Sequence, residues 1–263
     1  MARIFLSGAS GNVGKALVRE IAAGGEFELA GGWCLEAGED LGTLAGIAPL
    51  GVAASASLEE GVAASKPDIV VEFSAAAVME DNLECYLRLG ADAVIGTTGL
   101  KPDKLAELGA RAVSQGLRWS ALPNYALGIN LVAKFLREAR EYYPYASVTD
   151  RHPAEMGNAP SGTAAMLAGI LSEREAGTIR SKETYDGALG ADIGGTQVFA
   201  ERLSYPGPFS GHTIRLARKD EVITINVDDF SSGVFTGGVL MAVRKLLSSP
   251  RGVFITSFDE LTK

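Results

Sequence analysis

The stretch "RHPAEMGNAPSGTAAML", residues 151–167, sets His152 ahead of a proline-flanked Ser161-Gly162-Thr163 that runs into an apolar, helix-forming segment. Hydroxyl residues and glycine at a helix start can hold an anion, because their N–H groups and hydroxyls form a nest where the helix dipole favours negative charge. One of the hydroxyls can equally cap the helix, and the two roles are compatible. His152 adds a group that exchanges its proton near neutral pH, or else a structural side chain on a strand edge. Met156 stands between them with neither charge nor hydrogen-bond donor, only a weakly accepting sulfur.

A second constellation opens the chain. Gly8, Gly11 and Gly14, with Asn12 and Val13 among them, follow the apolar run "RIFLSG" and open a helical pattern from about Asn12 to Ala23. Glycines in that context let the backbone turn sharply and approach a pyrophosphate, which the helix N-terminus attracts; the rival is a plain tight turn. An acidic residue roughly 20 residues on would bind the adenine ribose, and Glu36 is the nearest candidate, with Cys34 at the strand tip as the other position. No Arg or Lys follows Arg19 until after Ala64, so a clamp for a 2′-phosphate is missing and NADH is expected over NADPH. Ser74, Thr97, Thr98 and Gly99 fall where later strands end, the edge at which open parallel sheets bind ligands. Small polar residues are also ordinary turn formers, and composition leaves both readings open there.

These residues need elements to position them. "FELAGGW", "DIVVEFS", "DAVIGTT" and "LRWSALP" alternate with helical patterns near 78–88 and 102–115, a βαβ rhythm that argues a doubly wound parallel sheet. After a helical stretch near 130–143 come "YASVTDRH", "TQVFAERLS", "HTIRLA" and "EVITINVDD", with no long helix between the last three, which argues a mostly antiparallel sheet in a second, α+β domain. "GVFTGGVLMAVRKLL" returns to a helical pattern.

Composition narrows the classes. With 263 residues, 47% hydrophobic and 21% charged, a sizeable core is expected. A formal charge of -8 leaves no basic surplus for nucleic acid or an anionic membrane. The N-terminal run lacks the apolar core of a signal peptide and no later stretch is long enough to span a bilayer, so a soluble, cytoplasmic protein is expected. Cys34 and Cys85 form neither a disulfide framework nor a ligand cluster, and with His152 and His212 the only histidines no metal is expected. His212 reads as a satisfied strand histidine near the site, with support of the site residues from behind as the alternative. Lys219, Asp220 and Glu221 read as a solvated turn, and Asp228 and Asp229 as neighbours facing opposite ways.

Taken together, "GASGNVG", "EFS", "VIGTTG", "PNYALGIN", "APSGTA" and "GHT" resemble, in order and approximate spacing, the dihydrodipicolinate reductase family of lysine and diaminopimelate biosynthesis. The resemblance implies a Rossmann domain from residues 1–123 plus 233–263, and an inserted substrate and oligomerisation domain, 124–232, that commonly forms a tetramer. It also implies a cofactor along the glycine loop, Phe73 and Ser74, Gly96, Thr97 and Thr98, and Pro123, Asn124 and Tyr125. A ring substrate would then lie between domains, near Thr98, with one carboxylate on Ser161, Gly162 and Thr163 and His152 as proton donor. Domain closure over the cofactor would exclude water.

Where the family runs Glu-x-His-His-x-x-Lys-x-Asp-x-Pro-Ser-Gly-Thr, this chain has Asp150, His152, Pro153, Met156, Asn158 and Pro160 to Thr163. Pro153 replaces the second histidine and Met156 the lysine that gives the substrate a cation. A lost charged hydrogen bond costs about 1.5 to 3 kcal/mol. The expectation is therefore a reductase of a different cyclic imine or unsaturated ring acid, its pocket lined by Met156 and Pro153. The alternatives are the family's usual activity with Arg151 or Lys134 as compensating cation, and a nucleotide-binding sensor or scaffold without catalysis.

Overall fold

The computed structural model describes residues 1–203 and 210–262; Ser204 and Lys263, the last residues of the expected strand 196–204 and of the expected domain 233–263, lie outside the described residues. The chain divides into two compact units, Met1–Ala126 with Phe235–Lys263, and Leu127–Val234.

The first unit begins β1 (Ala2–Ser7), α1 (Asn12–Gly24), β2 (Phe27–Trp33), α2 (Leu41–Leu44), β3 (Ala54–Ser55), α3 (Leu58–Ser65), β4 (Ile69–Glu72), α4 (Met79–Leu89), β5 (Ala93–Ile95), α5 (Pro102–Ser114) and β6 (Arg118–Ala121). The second unit holds α6 (Leu127–Ala139), β7 (Tyr145–Pro153), α7 (Gly162–Ser172), β8 (Ala191–Ile193), β9 (Thr196–Leu203), β10 (Ser210–Arg218) and β11 (Glu221–Asp229). The chain then returns to the first unit as α8 (Thr236–Ser248), β12 (Val253–Ile255) and α9 (Phe258–Thr262).

Seven parallel strands in the order β12-β6-β5-β4-β1-β2-β3 form the first sheet. Strand alternation sends residues to two cores. Ile4, Leu6, Ile69, Val71 and Val94 pack with α1 and α8, whereas Phe5, Val70, Ala93 and Ile95 pack with α3, α4 and α5. Both faces are thus covered by helices, which is why these strands read as continuous apolar runs. "DIVVEFS" and "DAVIGTT" are shorter as strands than their runs predict, because Phe73 onward and Gly96 onward leave the ladder; Gly96 and Thr97 give their N–H groups to the Glu72 carbonyl at 2.9 and 3.2 Å.

The second sheet runs β11-β10-β7-β9-β8, antiparallel except for the β7 and β9 pair. Val148, Val198, Ile214 and Leu216 pack against Leu136 of α6 and Leu167 and Leu171 of α7. The helix expected near 130–143 starts earlier, at Leu127, and its last turn, Arg140–Tyr142, tightens to a 3₁₀ helix before β7.

Candidate active site

In the first sheet β1 leads to β2 on one side while β4 lies on the other, so the carboxyl ends of β1 and β4 form a topological switch point. Gly8 turns the chain there at φ +79°, and a Cβ on it would lie 2.1 Å from the Phe73 carbonyl oxygen. Gly14 passes so close to the same loop that a Cβ would sit 2.2 Å from the Gly8 oxygen. α1 begins behind Gly11 with no side-chain cap and no acidic residue in its first turn, and Gly11 and Asn12 are exposed, with Val13 half-buried. That edge leaves backbone N–H groups and a helix dipole for an anion, and it fits the pyrophosphate of a dinucleotide.

Beyond β2, Cys34 is buried and burial pushes its thiol up, whereas Glu36 is exposed and a hydrogen bond from Ser10 of the glycine loop holds its carboxyl below the usual range. Glu36 is thereby set beside the loop as an ionised acceptor. Arg19 is turned away to the Ala45 carbonyl at 2.6 Å.

On the other side of the switch point, Ser74 and Thr97 are half-buried and tied together, the Thr97 hydroxyl lying 3.3 Å from the Ser74 carbonyl. Gly96 lies under the Phe73 ring, Thr98 is exposed, and Phe73 and Tyr125 stand 6.2 Å apart. Pro123 is exposed and Asn124 half-buried with its Oδ1 accepting from the Ala126 N–H at 2.7 Å. Tyr125 is different: its hydroxyl is buried on the Ile95 carbonyl and Ser120, and burial pushes its phenol well up, so it supports the strand ends from within.

The second unit carries a polar cluster around Asp150, which is fully buried on β7. Ser161 gives it both its N–H (2.8 Å) and its hydroxyl (2.7 Å), and Arg202 reaches it at 2.9 Å. His212 Nε2 stands 3.4 Å from both Asp150 Oδ1 and the Ser161 hydroxyl. His152 Nδ1 is 3.0 Å from Asp150 Oδ1 but off the line a ring N–H bond takes, so this contact is electrostatic. Burial would raise the Asp150 carboxyl, but hydrogen bonds from His212, Ser161 and Arg202 outweigh it and hold it well below the carboxylate range. Burial pushes the His152 imidazole down, opposed by Asp150 and aided by the neighbouring His212 and Arg202.

Ser161 caps α7 through the Ala164 N–H at 3.2 Å and is buried, so its hydroxyl serves the helix and Asp150. Gly162 is exposed with open space at its Cβ position, and Thr163 is half-buried beside it. Met156 is 38% exposed and its N–H closes a turn on the Pro153 carbonyl, while Pro153 is half-buried at the end of β7. Arg151 pairs with Asp228 at 2.6 Å and with Thr213, and Lys134 lies exposed on α6. Asp229 takes the Ser210 hydroxyl instead, as expected of neighbours facing opposite ways.

Arg202 is the residue sequence reasoning missed. It stands opposite His152 in the parallel β7 and β9 register, and its two terminal nitrogens go to Asp150, the Glu201 carbonyl and the Asn158 carbonyl. Only the strand pairing brings it there, and no local pattern announces a parallel pair in this sheet.

A parallel sheet with a glycine-loop switch point and a second sheet bearing an Asp-His-His cluster on a buried carboxylate is the build of a two-domain, NAD(P)-dependent oxidoreductase. Residues 2–125 match the family described as dihydrodipicolinate reductase, N-terminus, and residues 128–260 its C-terminus. The chain belongs to the dihydrodipicolinate reductase family. It is 31% identical over 258 residues to the 4-hydroxy-tetrahydrodipicolinate reductase of Syntrophomonas wolfei, covering 96% of each chain, and 30% identical to that of Moorella thermoacetica, covering 93% and 92%. Its fold matches the dipicolinate-bound dihydrodipicolinate reductase from Paenisporosarcina sp. TG-14 with a TM-score of 0.83 at 24% identity over 98% of each chain. An amine dehydrogenase from Mycobacterium smegmatis shares the fold more distantly, with a TM-score of 0.67 at 16% identity over 96% and 94%.

Proposed function

We propose that this reductase acts on a conjugated cyclic imine or unsaturated ring carboxylate that carries less negative charge near Met156 than the substrate its relatives are named for. The observation behind this reading is the treatment of the cations. Met156 offers none, Arg151 is paired with Asp228, and the terminal nitrogens of Arg202 are taken by protein acceptors. The 153–158 segment thus offers a second substrate carboxylate no cation, and the charge-assisted hydrogen bond that a lysine would give is missing.

The nicotinamide cofactor, when bound, supplies a hydride from its C4 and is left with a cationic ring. Gly8 and Gly14 let the loop fold tightly on itself and against the Phe73 carbonyl, and the uncapped start of α1 that this loop leads into attracts the pyrophosphate. Ser161 fixes the start of α7 on Asp150, so that the backbone of Gly162 and Thr163 can hold one carboxylate. His152 donates a proton to the reduced substrate, with Asp150 favouring its charged form. Glu36 accepts from the adenine ribose and repels a 2′-phosphate, which makes NADH the preferred cofactor. Among the described residues no helix is long and apolar enough to cross a membrane; the biosynthetic enzymes it resembles are what support a cytoplasmic location. The resemblance also supports a homotetramer.

The deciding measurement is NADH and NADPH oxidation, first with the family's usual substrate made in situ and then with a panel of cyclic imines. A panel member is expected to outpace the usual substrate, and Met156→Lys is expected to raise activity on the usual substrate about 10- to 100-fold. Rapid turnover of the usual substrate at low concentration by the unaltered chain would overturn this reading.

A further inference from the structure

Glu72, the last residue of β4, is fully buried at the switch point, yet neither hydride transfer nor proton donation makes use of it. Its Oε1 accepts the Ser74 N–H at 2.7 Å and the Thr97 hydroxyl at 3.0 Å; its Oε2 accepts the Asn82 amide at 3.1 Å and the Tyr86 hydroxyl. A carboxylate has about four acceptor sites, and a carboxylic acid must give one of them to its own proton. Here four donors converge on four sites, the Thr97 hydroxyl making its shortest contact with Oε1, an arrangement that suits a carboxylate. Tyr86 remains a donor, because burial and the adjacent Glu72 push its phenol far up.

All four of these partners are neutral. A buried anion satisfied by dipoles alone projects a negative potential that an ion pair would cancel, and in a low-dielectric setting that potential reaches several ångströms. Its direction matters. Ser74 and Thr97 lead off the ends of β4 and β5, on the opposite side of β1 from Glu36 and the adenine-ribose position. A dinucleotide lying across the switch point therefore brings its other end, the nicotinamide, to the side where Glu72 lies.

We infer that Glu72 is a positioning residue that also acts electrostatically. It fixes the Ser74 and Thr97 segments and makes the oxidised, cationic nicotinamide the better-bound form. Charge that develops on the ring as hydride leaves is stabilised by the same carboxylate. The inference rests on the dinucleotide reading of this sheet edge.

The test is the ratio of dissociation constants for NAD+ and NADH, by calorimetry, in the unaltered chain and in variants. Glu72→Gln is expected to raise the NAD+/NADH ratio about tenfold, the effect of one charge across several ångströms of partly buried protein. Glu72→Asp, which keeps the charge, and Tyr86→Phe, which removes one hydrogen bond, are expected to leave the ratio within about twofold of the unaltered chain on the same argument. Should Glu72→Gln not fold, Asn82→Lys sets an ammonium against the same carboxylate and is expected to move the ratio the same way. An unmoved ratio in the folded charge-removing variant, or an equal shift in Tyr86→Phe, overturns the electrostatic role. Failure of the unaltered chain to bind either NAD(H) or NADP(H) would instead overturn the dinucleotide reading itself.

Discussion

Asp150 joins Ser161, Arg202 and both histidines through one buried carboxylate, and removing its charge leaves Arg202 with carbonyl acceptors but no anionic partner. Asp150→Asn is expected to cost about 3 to 5 kcal/mol in denaturant unfolding. The pH dependence follows from the direction of each shift. Asp150 is held below its unfolded value, so its stabilisation is present above the ordinary carboxylate range and fades as pH falls towards the folded value. His152 is also lowered, so the unfolded chain takes up this proton first, and stability declines as pH drops below about 6.5. The asparagine variant should therefore lose the acid-range part of that slope. For catalysis, the lowered imidazole means that the protonated donor grows scarce with rising pH. kcat/KM is expected to fall as pH rises through a value below 6.5. His152→Ala should remove this limb and cut turnover about 10²- to 10⁴-fold, with NADH affinity little changed; unchanged turnover would remove the histidine from the mechanism.

At the scale of elements, the sheet edge around Glu36 depends on how β2 ends and α1 begins. Ser10 in the loop before α1 donates to Glu36, whose carboxylate stays exposed, while Arg19 is held on the Ala45 carbonyl. NADH is thus expected to bind at least tenfold more tightly than NADPH, about 1.4 kcal/mol, and Glu36→Arg to reverse that order in fluorescence titrations. A tenfold preference for NADPH in the unaltered chain would remove the idea. The strands of this unit were legible because burial on both faces makes apolar runs, and α1 because glycines, amphipathic spacing and the preceding strand agree. Short pieces such as α2, β3, β8 and α9 were not, since tertiary contacts rather than local pattern hold them; α2 depends on Asp40, whose carboxylate caps Thr43 and accepts N–H groups from Leu50, Gly51 and Val52. In the site, His152, the α7 start and Met156 were visible as types and spacings. The hub role of Asp150, the place of Arg202 and the burial of Glu72 were not, because each depends on residues far apart in sequence meeting across strands.

For the whole molecule, the division into units with their own cores has a thermodynamic consequence. The cofactor edge belongs to Met1–Ala126 with Phe235–Lys263, whose cores gather on the two faces of the parallel sheet. The Asp150 cluster belongs to Leu127–Val234, whose core packs one face of the mixed sheet on α6 and α7. A ligand stabilises only what it binds, by about 2.7 kcal/mol at a hundred times its dissociation constant. In scanning calorimetry, NADH should raise the transition of the first unit by about 5 to 10 °C, while Asp150→Asn should lower the transition of the second. If both perturbations move one common transition by its full width, the units melt as a single cooperative body, and loss of the Asp150 cluster would then be felt at the cofactor edge as weaker NADH binding on heating.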